Sequence, residues 1–243
     1  MSYSEQSCVS SLFNASMCKL LSIIIPVLNE AQTLHERRDY FRTLAEHAEL
    51  IFVDGGSTDS TSVCCENMGF VTHKSAITFS RGAQIATGIR NASYDHICIH
   101  HVDSLMDTKA IKALQLALQT HVWGRFDVRI DDTHWCFRVI ERSMNWRSRL
   151  TSIATGDQCM FARRDYLLSI LTDLGNHPLM EDIYISRQLR KHGRPTCLSV
   201  SVITSARYWQ RHGIMRTILK MWWFRAQFYF GRSADELYKK YYS

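Results

Sequence analysis

The sequence predicts an α/β fold built on a mostly parallel sheet, and three observations carry that prediction. Two short apolar runs, Leu21-Ser22-Ile23-Ile24-Ile25-Pro26-Val27 and Leu50-Ile51-Phe52-Val53, show no polar alternation, as strands buried on both faces do. Each run ends abruptly in polar side chains: Asn29 and Glu30 after the first, Asp54, Ser57, Thr58 and Asp59 after the second. The carboxyl ends of such strands are where open α/β sheets hold their ligands. Segments of helical periodicity separate the runs, and β–α alternation demands parallel strands joined by crossover helices.

After the first strand, segment 31–48 carries Leu34, Phe41, Leu44 and Ala45 at helical spacing. Strand 50–53 leads into Gly55-Gly56, which permits a tight turn near a ligand, and Asp59-Ser60-Thr61 offers helix N-caps. A short helix over 61–68 is stopped by Gly69 in a left-handed cap. Strand 70–73, helix 81–91 with Ile85 and Ile89 one turn apart, strand 96–100 and a helix over 108–119 capped by Thr108 complete the alternation. The second half changes character. Segment 126–131 alternates strictly and reads as a half-exposed, antiparallel strand. A long helix over 135–153, a strand over 156–161, a helix over 165–174, a helix over 181–192 stopped by Gly193 and Pro195, and a strand over 196–204 follow. No internal repeat or low-complexity tract occurs.

With 243 residues, 46% of them hydrophobic and only three prolines, the chain has the size and core of one α/β domain without long extended linkers. Residues 1–19, rich in Ser and lacking periodicity, read as a flexible leader without the features of a signal peptide. The eight cysteines form no C-x-x-C and most lie in apolar stretches, which predicts buried free thiols and a cytoplasmic protein. Segment 207–243 holds eight Lys or Arg against two acidic residues, so the whole net charge of +6 belongs to it. No G-x-G-x-x-G or G-x-x-x-x-G-K-[ST] follows either early strand, which argues against dinucleotide and P-loop sites.

The pairing of Pro26-Val27-Leu28-Asn29-Glu30 with Val53-Asp54-Gly55-Gly56-Ser57-Thr58-Asp59 resembles the family 2 glycosyltransferases, enzymes of the GT-A fold. The resemblance runs from about Leu20 to the C-terminus. It implies a single domain over 20–243, with a nucleotide-binding half at 20–104, an acceptor half at 105–206 and a basic, aromatic helical segment at 207–243. By the same resemblance a nucleotide-diphosphate sugar is held by Pro26, Asn29, Glu30, Asp54, Gly55, Ser57, Asp59, Arg81, Gln84 and Asp103. Arg81-Gly82-Ala83-Gln84 also opens a helix, where amide dipoles favour an anion.

His101-Val102-Asp103 matches an H-x-D that one bacterial subgroup carries in place of D-x-D, implying Mg²⁺ or Mn²⁺ on Asp103 with His101 as a second metal contact. Hard cations suit carboxylate and phosphate oxygens. Glu181-Asp182 are ordinary dipole partners at a helix start, and they also match the family's catalytic pair, which makes Asp182 the general base and Glu181 its neighbour. Family 2 enzymes invert, so transfer is a single displacement. Gly156-Asp157-Gln158 with Arg163 resembles a G-D-Q segment of the bacterial subgroup; it reads either as a turn or as an acceptor contact. Arg207-Tyr208-Trp209 is similar to the family's R-R-W, with Tyr208 in place of an Arg, and adds Arg207 and Trp209 to the acceptor side.

Segment 213–231 interleaves Arg216, Lys220 and Arg225 with Trp222, Trp223 and Phe224 and lacks about twenty continuous apolar residues. It suits an anionic membrane interface at the inner face of the membrane, or a packed helix whose basic stems cover apolar surface. The acceptor is then an unknown hydroxyl, with a lipid-linked one as a candidate. No nucleic acid is expected as a partner, because the basic segment is rich in residues of the buried type. Two rivals stand beside this reading. A sugar nucleotidyltransferase would carry a Gly-rich, Arg-containing loop after the first strand, and none is present. A catalytically degenerate nucleotide-sugar-binding protein is suggested only by His101 in place of Asp.

Overall fold

The computed structural model describes residues 20–242; the expected leader, with Cys8 and Cys18, lies outside the described residues. Strands β1 (Leu21–Val27), β2 (Glu49–Asp54), β3 (Thr72–Lys74), β4 (His96–Ile99), β5 (Trp123–Asp131), β6 (Phe161–Arg163) and β7 (Thr196–Ser205) form one sheet in the order β3-β2-β1-β4-β6-β5-β7. The first four strands run parallel, β6 is antiparallel to both its neighbours, and β5 pairs parallel with β7. Every residue of β1 is buried, as its unbroken apolar run predicts.

Alternation along β1 sends its side chains into two separate cores. Leu21, Ile23 and Ile25 pack with Phe41, Phe52 and Leu114, beneath α2 (Arg38–His47) and α5 (Thr108–Leu118). Ile24 packs on the other face with Ile85, Ile89 and Leu174, beneath α4 (Arg81–Asn91), α7 (Arg164–Leu168), α8 (Leu171–Leu174) and α9 (Glu181–Leu189). Truncating either set to Ala costs about 2–5 kcal/mol per site, because the neighbours on a doubly covered strand relax little.

Several expected elements differ in detail. Segment 31–48 breaks at Arg37 into α1 (Ala31–Glu36) and α2. The helix α3 (Thr61–Asn67) ends as expected at Gly69, which has φ +85° and donates to the Glu66 carbonyl. Asp107, not Thr108, caps α5, its carboxylate accepting from the Ala110 amide. Segment 156–161 is a 3-10 turn (Gly156–Gln158) followed by β6, which starts only at Phe161. Segment 165–174 divides into α7 and α8.

The alternating segment in β5 buries Phe126, Val128 and Ile130 and exposes Arg129 and Asp131, but it pairs parallel with β7; β5 is antiparallel to β6 only at Trp123 and Gly124, before that segment. Alternation reports one solvated face; it carries no information on strand direction. Asn145 of α6 (Trp135–Thr151) ties that helix to β5, accepting from the Val128 amide and donating to the Val128 carbonyl. The chain ends in α10 (Arg207–His212), α11 (Ile214–Tyr229) and α12 (Ala234–Tyr242). Cys65, Cys98 and Cys159 are buried, Cys64, Cys136 and Cys197 partly so, and all six are free thiols. Among the described residues no helix is long and apolar enough to cross a membrane.

Candidate active site

The loops that leave β1 and β2 are fastened to each other by their polar side chains. Asn29, in a left-handed conformation at φ 55°, accepts from the Thr58 amide at 2.9 Å, and its own amide donates to Ser57 Oγ at 2.9 Å. Asp59 accepts from the Ala31 amide at 3.2 Å, and the Glu30 amide donates to Thr61 Oγ1 at 2.8 Å. Buried Asp54 accepts from the amides of Gly56 and Ser57 and from Ser57 Oγ. Asn29, Asp54, Ser57 and Asp59 therefore spend much of their hydrogen-bonding capacity within the loops, and none of them lines the crevice that opens beside them.

That crevice, with a cavity of about 230 Å³, opens at the carboxyl end of β1. Pro26, Glu30, Arg81, Gln84, His101 and Asp103 all line it, so six of the residues expected at the donor and metal positions converge. Gln84 is buried and donates from Nε2 to the carbonyls of Val27 and Val53, both at 2.8 Å, pinning β1 and β2 together beneath the crevice. Gly55 lies against the Gln84 amide; a Cβ there would come within 2.9 Å of it. Arg81 opens α4 and holds its Nε 3.1 Å from Oε1 of Glu181, the first residue of α9. Burial pushes the Glu181 carboxyl up to about 7 despite that cation, with Asp182 adding to the rise.

Beyond Arg81 lies a group of acidic side chains. Burial, followed by the Asp103 charge, pushes Asp157 up to about 6, although 38% of its side chain remains exposed. His101 Nδ1 lies 3.6 Å from Asp157 Oδ1, and its Nε2 packs against Gly156, where a Cβ would sit 2.2 Å away. Burial and the nearby Arg81 hold the His101 imidazole well below its usual range, so it is neutral. Asp182 accepts from the Gly156 amide at 3.2 Å and from the Ile183 amide at 2.7 Å. Burial raises its carboxyl above the ordinary range, opposed by these amides and by Arg147 and Arg81. Thus the turn at Gly156 brings Asp157 and Asp182 side by side, with His101 leading back to the donor end.

Other expected contacts lie elsewhere. Gln158 has no accessible surface; it donates to Asn145 Oδ1 and Ser148 Oγ and fastens α6 to the turn, out of reach of an acceptor. Arg163 pairs in register with His96 at the start of β4, the end of the sheet away from the crevice, and is tied to Asp165 and Tyr166. Trp209 packs on Phe137 in a small core under α10. Arg207 reaches Thr33 Oγ1 at 3.3 Å and Glu36 at 3.7 Å, beside Glu30 at the rim.

Three residues emerge only in three dimensions. Phe79, at φ 57°, and Tyr238 of α12 line the crevice. Arg147, half-buried, acts electrostatically on Asp182 and Asp157, while its Nε and Nη2 are buried without partners. The left-handed Phe79 just before Ser80-Arg81 is a signal a sequence conceals, and Tyr238 is too distant along the chain to be foreseen.

A divalent cation fits the donor set as far as Asp103 goes. Asp103 lines the crevice, and Glu30 lies near enough that each carboxylate feels the other's charge. Among the described residues no three His, Cys, Asp or Glu side chains group closely enough to enclose an ion. A hard cation held there would take one or two carboxylates and complete its shell with phosphate and water.

A family model described as glycosyl transferase family 2 matches residues 22–171. Similar solved structures include residues 1–349 of S. aureus TarS, 15% identical, covering 78% of this chain and 61% of that one with a TM-score of 0.61. The mannosyltransferase PcManGT from Pyrobaculum calidifontis, solved with GDP-Man and Mn²⁺, is 17% identical over 82% of this chain and 63% of its own, with a TM-score of 0.56. Glucosyl-3-phosphoglycerate synthase from Mycobacterium tuberculosis, solved with Mg²⁺ and UDP, is 16% identical over 81% of this chain and 74% of its own, with a TM-score of 0.55. The chain thus spans under two thirds of the first two, and at these identities the likeness is one of fold. No curated protein matches the chain.

Proposed function

The chain belongs to glycosyl transferase family 2 and has the GT-A fold, and from that premise we propose that it transfers a sugar, with inversion, from a nucleotide-diphosphate donor to an acceptor hydroxyl. One observation carries the reading: Arg81, Glu30 and Asp103, from three separate segments, converge on one crevice that the Arg81–Glu181 pair joins to the Asp157–Asp182 turn. TarS has been solved with UDP-GlcNAc and PcManGT with GDP-Man and Mn²⁺, which supports a nucleotide sugar and a divalent cation here.

In this reading Pro26, Glu30 and Arg81 bound the donor and Asp103 holds Mg²⁺ or Mn²⁺, with His101 supporting Asp157. The cation supplies charge neutralisation to the leaving diphosphate. Arg81 adds its own charge at the N-terminus of α4, where amide dipoles favour phosphate. Asp182 takes the proton of the acceptor hydroxyl as its oxygen attacks the anomeric carbon and the bond to the diphosphate breaks on the opposite face. Its raised proton affinity suits that task, and the Gly156 and Ile183 amides hold it in place. Glu181 positions Arg81.

A thermal-shift screen of nucleotide sugars with and without Mn²⁺, followed by hydrolysis and transfer assays, tests the proposal. A ligand at one hundred times its Kd stabilises by about 2.7 kcal/mol, which a melting curve resolves. Absence of stabilisation by every UDP and GDP sugar would remove the donor assignment.

A further inference from the structure

Helix α11 is apolar on the side that faces away from the domain. Of its 16 residues only Thr217 and Phe224 are buried. At roughly 100° per residue these two lie within about 20° of each other and mark the packed side. Met215, Leu219, Trp222, Trp223, Ala226 and Tyr229 fall on the opposite side, within an arc of roughly 120°. They are exposed: Met215 by 67%, Leu219 by 62%, Trp222 by 67% and Tyr229 by 76%, and Phe230 continues the patch at 83%. A surface helix of a globular domain normally shows the reverse pattern, and a contiguous apolar patch of this kind marks a contact surface.

The charges say what kind of surface it meets. Arg216 borders the arc on one side and Arg225 on the other, and α11 contains no acidic residue. Lys220 places its ammonium over the ring of buried Phe224, 6.0 Å from its centroid, so that cation stays toward the packed side and Arg216 and Arg225 are the border charges. Cations on both borders, with Trp and Tyr in the arc, suit a bilayer interface, where rings sit at headgroup depth and basic side chains reach outward to phosphates. The core of a protein partner would instead be depleted of charge and would require complementary carboxylates. The helix cannot cross a membrane; it can lie along one.

We propose that α11 binds in the plane of an anionic phospholipid surface, with the Met215–Leu219–Trp222–Tyr229 arc inserted and Arg216 and Arg225 on the headgroups. This surface goes beyond the transfer reading and stands whatever the crevice transfers.

The test is cosedimentation of the full chain with phosphatidylcholine vesicles, with and without phosphatidylglycerol, at low and high salt. Wild type should pellet with the anionic vesicles at low salt and be released at high salt, since exposed charges are screened. Leu219→Gln/Trp222→Gln and, separately, Arg216→Gln/Arg225→Gln should each weaken binding by roughly tenfold or more, a loss of about 1.4 kcal/mol, with melting temperature and nucleotide binding unchanged. Wild type left in the supernatant at low salt overturns the proposal, as does pelleting of either variant to the wild-type extent. If sedimentation velocity shows a dimer that the Leu219/Trp222 variant dissolves, a second copy covers the arc and the lipid assignment fails. Nucleotide binding is read in the same samples, so loss of the donor assignment is seen independently.

Discussion

Arg81 and Glu181 face each other across the crevice with Nε and Oε1 3.1 Å apart, each being the first residue of its helix. Two helix N-termini thereby point at one place, joined by an ion pair between the halves of the domain that sequence motifs assign to donor and acceptor. The Gly82 amide reinforces the junction by donating to the His177 carbonyl at 3.1 Å. The pair leaves Arg81 with its charge partly neutralised until a more strongly anionic ligand arrives.

Burial of Glu181 makes stability depend on pH. Burial raises Glu181 from the ordinary 4.5 to about 7, so between those values the folded state binds a proton that the unfolded chain has released. The stabilisation is fully present below about 4.5 and is lost as pH rises through about 7. Glu181→Gln cannot ionise, so its melting temperature relative to wild type should climb as pH is raised from 4.5 to 8. Parallel melting profiles for the two proteins would show that Glu181 is not held protonated.

Gly82 should be the least replaceable residue of α4. A Cβ there would lie 2.1 Å from the Leu174 carbonyl oxygen and 2.5 Å from that of His177. Both are backbone atoms, so the helix must shift instead of a side chain. Gly82→Ala should cost on the order of 1–3 kcal/mol, as overpacking does, lowering the melting temperature by roughly 2–4 °C per kcal/mol for a domain of this size. A variant that melts with wild type would mean that the α4–α8 contact is looser than described.

The unbroken run 21–27 announced a strand covered on both sides, and the polar residues after it announced a crevice, because both are local patterns. Strand direction is different: it is set by pairing partners far along the chain. The resemblance of the segment that begins at Gly156 places Arg163 near the site, whereas β6 starts at Phe161 and carries Arg163 away from the crevice. Gln158 enters the acceptor side through the resemblance of Gly156-Asp157-Gln158 to a G-D-Q segment; in the fold α6 offers it two acceptors and buries it. Tyr238 reaches the crevice only through the return of α12, which no local pattern records.

Asp103 should control the metal-dependent part of donor binding. It lines the crevice, half-buried, and its charge raises the carboxyls of both Glu30 and Asp157. Asp103→Ala should abolish the additional stabilisation that Mn²⁺ gives to UDP or GDP, with the melting temperature of the free protein nearly unchanged. Equal nucleotide affinity of wild type and variant in Mn²⁺ would place the cation elsewhere. His101→Ala should leave that Mn²⁺ effect largely intact, since its nitrogens face Asp157 and Gly156.

The base is the sharpest question, because two carboxylates lie within the same turn. Asp182 is fixed by two backbone amides and answers to Arg147. Asp157 is held at about 6 by burial and by Asp103, with Thr204 Oγ1 donating to it at 3.4 Å. Asp182→Asn keeps the size and removes the proton acceptor, but it can accept from only one of the Gly156 and Ile183 amides, so its melting temperature is read beside its rate. General-base catalysis is typically worth on the order of 10²–10⁴-fold, so Asp182→Asn should lose transfer by at least about 100-fold. Donor affinity should hardly move, and Glu181→Gln should lose less. Asp157→Asn should chiefly alter KM and the acid limb of the pH profile, since Asp157 ionises near 6 and faces His101. If Asp182→Asn transfers at the wild-type rate while Asp157→Asn does not, the proton goes to Asp157, and the amide pair on Asp182 serves only to shape the turn.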